Sequence, residues 1–166
     1  LNASRVGDTL FGCTALPSAS VFGSAFKSDS KNRYTLMQSC NSTALSDLQE
    51  FFNPNGAVGK IQTSGSATLF TTSSDYRLKE DLQDFNGLDK VSKIPVYDFK
   101  WKTDDSRSYG VMAHELQEVL PQAVGGEKDA EEMQSVDYSK IVPVLVKAIQ
   151  ELKAEVDLLK QECKCK

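Results

Sequence analysis

The feature that most constrains this chain is a change of pattern at Ser74. Upstream, residues 1–73 are rich in Ser, Thr, Gly and Asn, with short apolar runs between turn signals: YTLMQSC, ALSDLQEFF, NPNG, AVGKIQT, SGS and ATLFTT. Downstream, acidic and basic residues become frequent and apolar residues recur at helical spacing. Runs of the first kind read as a succession of hairpins. Asn55-Gly56 predicts a type I′ turn, whose two central residues both need positive φ. The stretch SDLQEFFNPNGAVGKIQTSGSATLF alternates only loosely and carries few large apolar residues, too few to fill a core of its own. Such strands need neighbours, which a polymeric β-structure supplies.

The downstream part reads as alternating elements. In SDYRLKEDLQDFNGLDKVSKI, Leu78, Leu82 and Phe85 stand at steps of four and three, which predicts a short amphipathic helix ending near Asn86-Gly87. PVYDFKWK sets Val96, Asp98, Lys100 and Lys102 against Tyr97, Phe99 and Trp101, the period of a half-buried strand. GVMAHELQEVLP puts Met112, Leu116, Val119 and Leu120 on one helical stripe that stops at Pro121, and VGGEKDAEEMQSVDYS reads as a loop with a hairpin and a short last strand. In SKIVPVLVKAIQELKAEVDLLKQECKCK, Leu145, Ile149, Leu152, Val156, Leu159 and Cys163 recur at steps of four and three, the seam of a coiled coil. Pro143 is tolerated only in a first helical turn, so the helix is expected over about 139–162. A seam of about three heptads packs either on its own domain or on other copies of the chain. The polar residues of the other faces, among them Lys147, Gln150, Glu151 and Lys153, favour other copies. Ile and Val alternating with Leu would by itself favour two strands over three, with Cys163 a small apolar seam residue.

Composition removes several classes of function. With 166 residues, 40% hydrophobic and 25% charged, the chain has the make-up of one globular domain or two small ones. A net charge of −4 and a pI of about 5.1 argue against nucleic acid as a partner, because binding a polyanion rests on clustered Lys and Arg. No apolar run approaches the roughly 20 residues that span a bilayer, and LNASRVGDTLFG has no signal-peptide pattern. The first residue is not Met, so the expectation is a C-terminal piece of a longer chain. Cys13, Cys40, Cys163 and Cys165 are too scattered for a disulfide framework. The terminal Cys-Lys-Cys has no second ligand pair and His114 is the sole histidine, so neither a zinc site nor a cofactor is expected.

The densest chemistry is SSDYRLK, residues 73–79. A serine hydroxyl is a weak nucleophile until a base takes its proton, and a lysine held neutral by burial can be that base. Ser74 and Lys79 are five apart, about 140° around a straight α-helix, so they meet only if the chain turns between them. Asp75 and Arg77 pair with each other or hold that turn. The plainer reading of the same residues is a helix N-cap with a solvated charged face.

The wider pattern bears on that choice. TSGSATLFTTSSDYRLKEDL, YDFKWK, YGVMAHELQEVLPQAV and VDYSKIVPVLVKAIQELKAEVDLL, in that order, resemble the C-terminal intramolecular chaperone of bacteriophage tail spikes and tail fibres, a domain shared with endosialidases. The resemblance runs from about Ser64 to Leu159, and residues 1–63 share only the general character of a trimeric fibre end. It implies an α+β chain that forms an intertwined homotrimer. Residues 1–73 would be the β-structured end of a fibre, and residues 74–166 a mixed α/β chaperone with a long coiled-coil-like helix. It further implies that the domain assembles three chains, promotes folding of the fibre, and then cuts itself off between Ser73 and Ser74. Ser74 would be the nucleophile and Lys79 its general base, in a single turnover through an ester that water hydrolyses. Asp75 and Arg77 would support the turn. His114, where relatives often carry GxxAQE, is either a participant or a structural residue, and Glu115 has a polar packing or surface role.

The implied partners are two further copies of the chain, the upstream fibre and, through the mature fibre, a host surface receptor or polysaccharide; neither nucleic acid nor membrane insertion is implied. The implied location is the virion tail, after release of the chaperone in the host cytoplasm. A β-structured trimer of non-local contacts folds slowly and exposes strand edges, so a detachable clamp that concentrates the chains has a physical use. Cleavage then leaves the fibre kinetically trapped. Three alternatives compete: a non-cleaving trimerisation cap; the self-cleaving domain of a membrane-anchored transcription factor of the myelin regulatory factor type, which calls for a downstream membrane helix that QECKCK does not show; and a sugar-binding fibre tip using the aromatics of YTLMQSC and FFNPNG.

Overall fold

The computed structural model describes residues 9–11, 15, 18, 20–21, 23–28 and 34–164; Cys13 and Cys165 lie outside them. The chain divides into two units, Leu1–Asp81 and Leu82–Lys166, and mixes strands and helices as an α+β chain.

The first unit is made of antiparallel hairpins. Strands β1 (Thr9–Phe11), β2 (Gly23–Ser28) and β3 (Tyr34–Ser39) form one sheet in sequence order. Strands β4 (Ser46–Asn53), β5 (Gly56–Ser64) and β6 (Ala67–Thr72) form a second. The β4–β5 turn differs from the expected type I′. Its central residues are Pro54 and Asn55, between paired Asn53 and Gly56, and Gly56 alone there has positive φ, at 98°. The proline ring holds φ near −65°, which excludes a type I′ turn, so the left-handed residue moves one place along to the glycine. The register puts Phe51, Gly59, Ile61 and Phe70 on one face of this sheet, where Phe51 and Phe70 are exposed. The other face is polar: Lys60 Nζ lies 2.6 Å from Asp47 and 2.5 Å from Glu50, and the buried Gln62 donates to Asp47.

The second unit carries helix α1 (Gly87–Ser92), the hairpin β7 (Tyr97–Lys100) and β8 (Arg107–Gly110), helix α2 (Ala113–Val119), the two-residue strands β9 (Val124–Gly125) and β10 (Ser135–Val136), and helix α3 (Val142–Lys164). Its core gathers Leu116 and Leu120 from the predicted stripe of α2 with Ala123 and Val144, and Val91, Ile94, Val136 and Ile141 pack around them. Burying each of the two leucines contributes about 1.5–3 kcal/mol.

Two predicted helices shift. The helix expected to end at Asn86-Gly87 is absent: residues 79–86 have no regular secondary structure, and helix α1 begins at Gly87 instead. Leu78 and Leu82 are exposed, so no apolar face stabilises a helix there, whereas the Asn86 side chain accepts the Asp89 N–H at 2.7 Å and starts one. The last helix begins later than expected. A single 3₁₀ turn at Tyr138–Lys140, capped by Asp137, precedes it, which leaves Pro143 in the first turn of α3. Val144 and Ala148 are the buried positions of α3. Gly87 approaches there so closely that a Cβ would stand 2.5 Å from the Ala148 backbone nitrogen. The Glu151 carboxylate accepts the Gly87 and Leu88 N–H groups at 3.1 and 2.7 Å, and Lys147 Nζ reaches Asp84 at 2.6 Å. The predicted seam residues Leu145, Ile149, Leu152 and Leu159 remain exposed.

Candidate active site

The site grows out of the end of β6. Beyond Thr72 the pairing with β5 continues for one more residue: the Ser73 N–H donates to the Val58 carbonyl at 3.2 Å, and the Ser73 hydroxyl donates to the Ala57 carbonyl at 3.0 Å. The chain then leaves the sheet and makes one 3₁₀ turn, Tyr76–Leu78. Asp75, in extended backbone, caps that turn by accepting the Arg77 N–H at 2.8 Å. The Arg77 guanidinium folds back onto the same carboxylate, with Nε 2.9 Å from Oδ1 and Nη2 2.8 Å from Oδ2. The hydrogen bond from Arg77 holds the Asp75 carboxyl below its ordinary pKa, and the same bond raises that of Arg77. The turn closes with the Leu78 N–H on the Asp75 carbonyl and the Lys79 N–H on the Tyr76 carbonyl, each at 3.1 Å.

This turn brings Lys79 Nζ to 2.6 Å from Ser74 Oγ. The five-residue spacing that a helix would have put on different faces is bridged because the chain turns once and then extends through Lys79 (φ −130°, ψ 134°). The pair is open to solvent, as is every residue from Thr71 to Asn86. Chemically, a neutral lysine amine at this distance accepts the serine proton, and the resulting ammonium returns a proton to a leaving amine. The two neighbouring serines are therefore engaged differently: Ser74 Oγ accepts from Lys79 Nζ, while the Ser73 hydroxyl donates to a backbone carbonyl.

Of the remaining sequence candidates, Asp75 and Arg77 both pair with each other and hold the turn. His114 belongs to the second unit, half-buried on α2, where it borders a hollow of about 310 Å³ with Gln117, Glu118 and Lys128. Glu115 accepts the Tyr97 hydroxyl at 3.3 Å, a contact that raises the Tyr97 pKa, and its Oε2 is buried. Among the described residues no group of His, Cys, Asp or Glu is placed to hold a metal ion, and no helix is long and apolar enough to cross a membrane. The hydrogen bonds of Ser73 to β5 have no signal in the sequence, because they join Ser73 through strand pairing to Val58 and Ala57, the latter 16 positions away.

Residues 74–125, opening on Ser74, match the family model described as chaperone of endosialidase. This segment is a chaperone-of-endosialidase domain. Proteins similar to the chain include Long tail fiber protein Gp37 of Enterobacteria phage M1 and of Enterobacteria phage Ox2. Each is 34% identical over 96 residues, covering 52% of this chain and 38% of the relative. Long tail fiber protein Gp37 of Escherichia phage AR1 is 33% identical over 91 residues, covering 47% of this chain and 8% of the relative. The chain thus spans well under half the length of these relatives. The domain bears the name of a chaperone, and its family is one of peptidases.

Proposed function

We propose that this chain is the chaperone-bearing end of a phage tail fibre, that it assembles as a homotrimer, and that it then cuts itself between Ser73 and Ser74. The observation that carries the proposal is the 2.6 Å contact between Lys79 Nζ and Ser74 Oγ at the first residue of the family match. In the reaction Lys79, as the neutral amine, takes the Ser74 hydroxyl proton and Oγ attacks the Ser73 carbonyl carbon. The Ser73–Ser74 C–N bond breaks, and the proton passes from Lys79 to the new Ser74 amine. Water then hydrolyses the ester, releasing the Ser73 carboxylate and restoring the Ser74 hydroxyl.

Assembly supplies what the single chain lacks. Lys79 is exposed in the single chain, and packing of neighbouring copies around Tyr76 and Leu78, 82% and 72% exposed, is what would exclude water from the Ser74–Lys79 pair. The seam of α3 and the Phe51–Phe70 face are the apolar surfaces that join copies. The relatives are named as long tail fiber proteins, which supports the virion tail as the location of the product, residues 1–73, where the mature fibre would meet a host receptor or polysaccharide.

The test is the intact mass of the purified chain beside Ser74→Ala and Lys79→Ala. Self-cleavage predicts fragments 1–73 and 74–166 for the wild type and whole chains for both variants. A second reading, a non-cleaving trimerisation cap, draws on the exposure of Lys79 and predicts that all three stay whole while remaining oligomeric.

A further inference from the structure

We propose that Ser73 is a positioning residue for the cleavage, a role that rests on the reaction proposed above. The reaction needs two atoms held together: Ser74 Oγ and the Ser73 carbonyl carbon. Lys79 fixes the first, through its 2.6 Å contact. The second is fixed from the other side by β5, because Ser73 is tied there twice, by its N–H to Val58 and by its hydroxyl to Ala57. Thr72 before it is in the ladder with Gly59, so the ladder stops one residue short of the bond to be cut. Ser73 therefore ends a rigid element, and Ser74 begins the capped turn. Rotation about the bonds between these two anchors is what brings Oγ over the carbonyl carbon.

The Ser73 hydroxyl has a second consequence. It donates to Ala57 and so is drawn away from its neighbour's carbonyl chemistry, leaving Ser74 as the hydroxyl that meets an amine. After cleavage, the same two hydrogen bonds keep the new C-terminal residue seated on β5, so the strand end of the product does not fray. Misplacing one reacting group by about 1 Å can cost as much as a hundredfold in rate. Loss of one of two anchors is expected to slow the reaction by roughly tenfold.

The test compares the wild type with Ser73→Ala, Ser73→Thr and Ser74→Ala, following the intact chain by mass from the moment of refolding. Both the first-order rate constant and the final extent are read, with circular dichroism and oligomeric state measured in parallel. Ser73→Ala removes the hydroxyl anchor alone. The expected result is a rate constant about tenfold lower with cleavage still running to the wild-type extent, and recovery of the rate in Ser73→Thr, which restores a hydroxyl. A merely structural role would lower the extent, through a smaller folded fraction, and leave the rate constant of that fraction unchanged; that result overturns the proposal. Equal rate constants for wild type and Ser73→Ala also overturn it, and leave the cleavage reading intact. A wild type that never cleaves, like Ser74→Ala, removes the cleavage reading and this proposal together.

Discussion

Arg77 and Asp75 form a two-pronged ion pair, Nε to Oδ1 at 2.9 Å and Nη2 to Oδ2 at 2.8 Å, across the single turn that lies between Ser74 and Lys79. The same carboxylate caps that turn. An exposed pair of this kind adds little to global stability, but here it sets the geometry of two other side chains. Asp75→Ala is expected to slow self-cleavage by roughly tenfold or more, and Asp75→Asn, which keeps an acceptor for the Arg77 N–H, by less. Thermal unfolding of both is expected to follow the wild type. Wild-type cleavage by Asp75→Ala would show that the turn stands without its cap.

Gly87 sits where helix α1 meets α3 with no room for a side chain. A methyl group there would stand 2.5 Å from a backbone nitrogen and 2.8 Å from the Lys147 Cβ. Gly87→Ala is therefore expected to push α1 away from the Glu151 carboxylate and to destabilise the second unit by about 1–3 kcal/mol. Urea unfolding measures it, and an unchanged midpoint would mean the close approach carries no weight.

Leu116 is 0% exposed at the centre of the core of the second unit. Leu116→Ala is expected to cost about 2–5 kcal/mol, the transfer term plus the cavity left behind. Unfolding of the second unit reads it, and a loss below about 1 kcal/mol, half the lower end of that range, would mean that this core relaxes around the gap.

Acid and base act on the Asp84–Lys147 pair with opposite signs. Lys147 holds the Asp84 carboxyl below its ordinary value of 3.8, so the stabilisation is present above that value and is lost as pH falls through the lower folded one. Asp84 raises Lys147 above its ordinary 10.5, so that contribution is present below 10.5 and is lost as pH rises through the higher folded value. The difference in melting temperature between wild type and Asp84→Asn is expected to be flat between these limits and to close at both ends. Added salt is expected to shrink it, since Asp84 is exposed. A difference that persists well below pH 3.8 would remove the pair as its source.

Ile149 is 65% exposed in the middle of the α3 seam, away from the buried Val144 and Ala148. Ile149→Glu is expected to abolish self-association while leaving the helix content of the single chain unchanged, as read by light scattering and circular dichroism. An oligomer that survives the substitution would place the joining surface elsewhere.

Much of this was legible along the chain. The hairpins of β4, β5 and β6 were visible because turn residues and short apolar runs are local signals, and α2 was visible because Leu116 and Leu120 repeat at helical spacing up to a proline. Residues 75–86 depart from what their spacing predicts. Leu78, Leu82 and Phe85 have helical spacing, but all three are exposed, so the spacing had no partner surface to make it a helix. Asn86-Gly87 starts a helix where the sequence predicts a stop, because the Asn86 side chain caps forward onto Asp89. The Pro54 ring likewise displaced the expected turn by one residue.

What the sequence by itself determined are the local quantities: the change of pattern at Ser74, the type and order of most elements, and the residue types that can carry a serine–lysine reaction. Each depends on a few consecutive residues, whose propensities and periodicities act without knowledge of the rest of the chain. The tertiary structure alone decided which groups meet. It put Lys79 on Ser74 through a capped turn, committed the Ser73 hydroxyl to Ala57 across 16 residues, and set Gly87 against the Glu151 carboxylate across 64. The last two contacts exist only after strands pair and helices pack, because the hydrogen bonds that hold them join segments far apart in the chain.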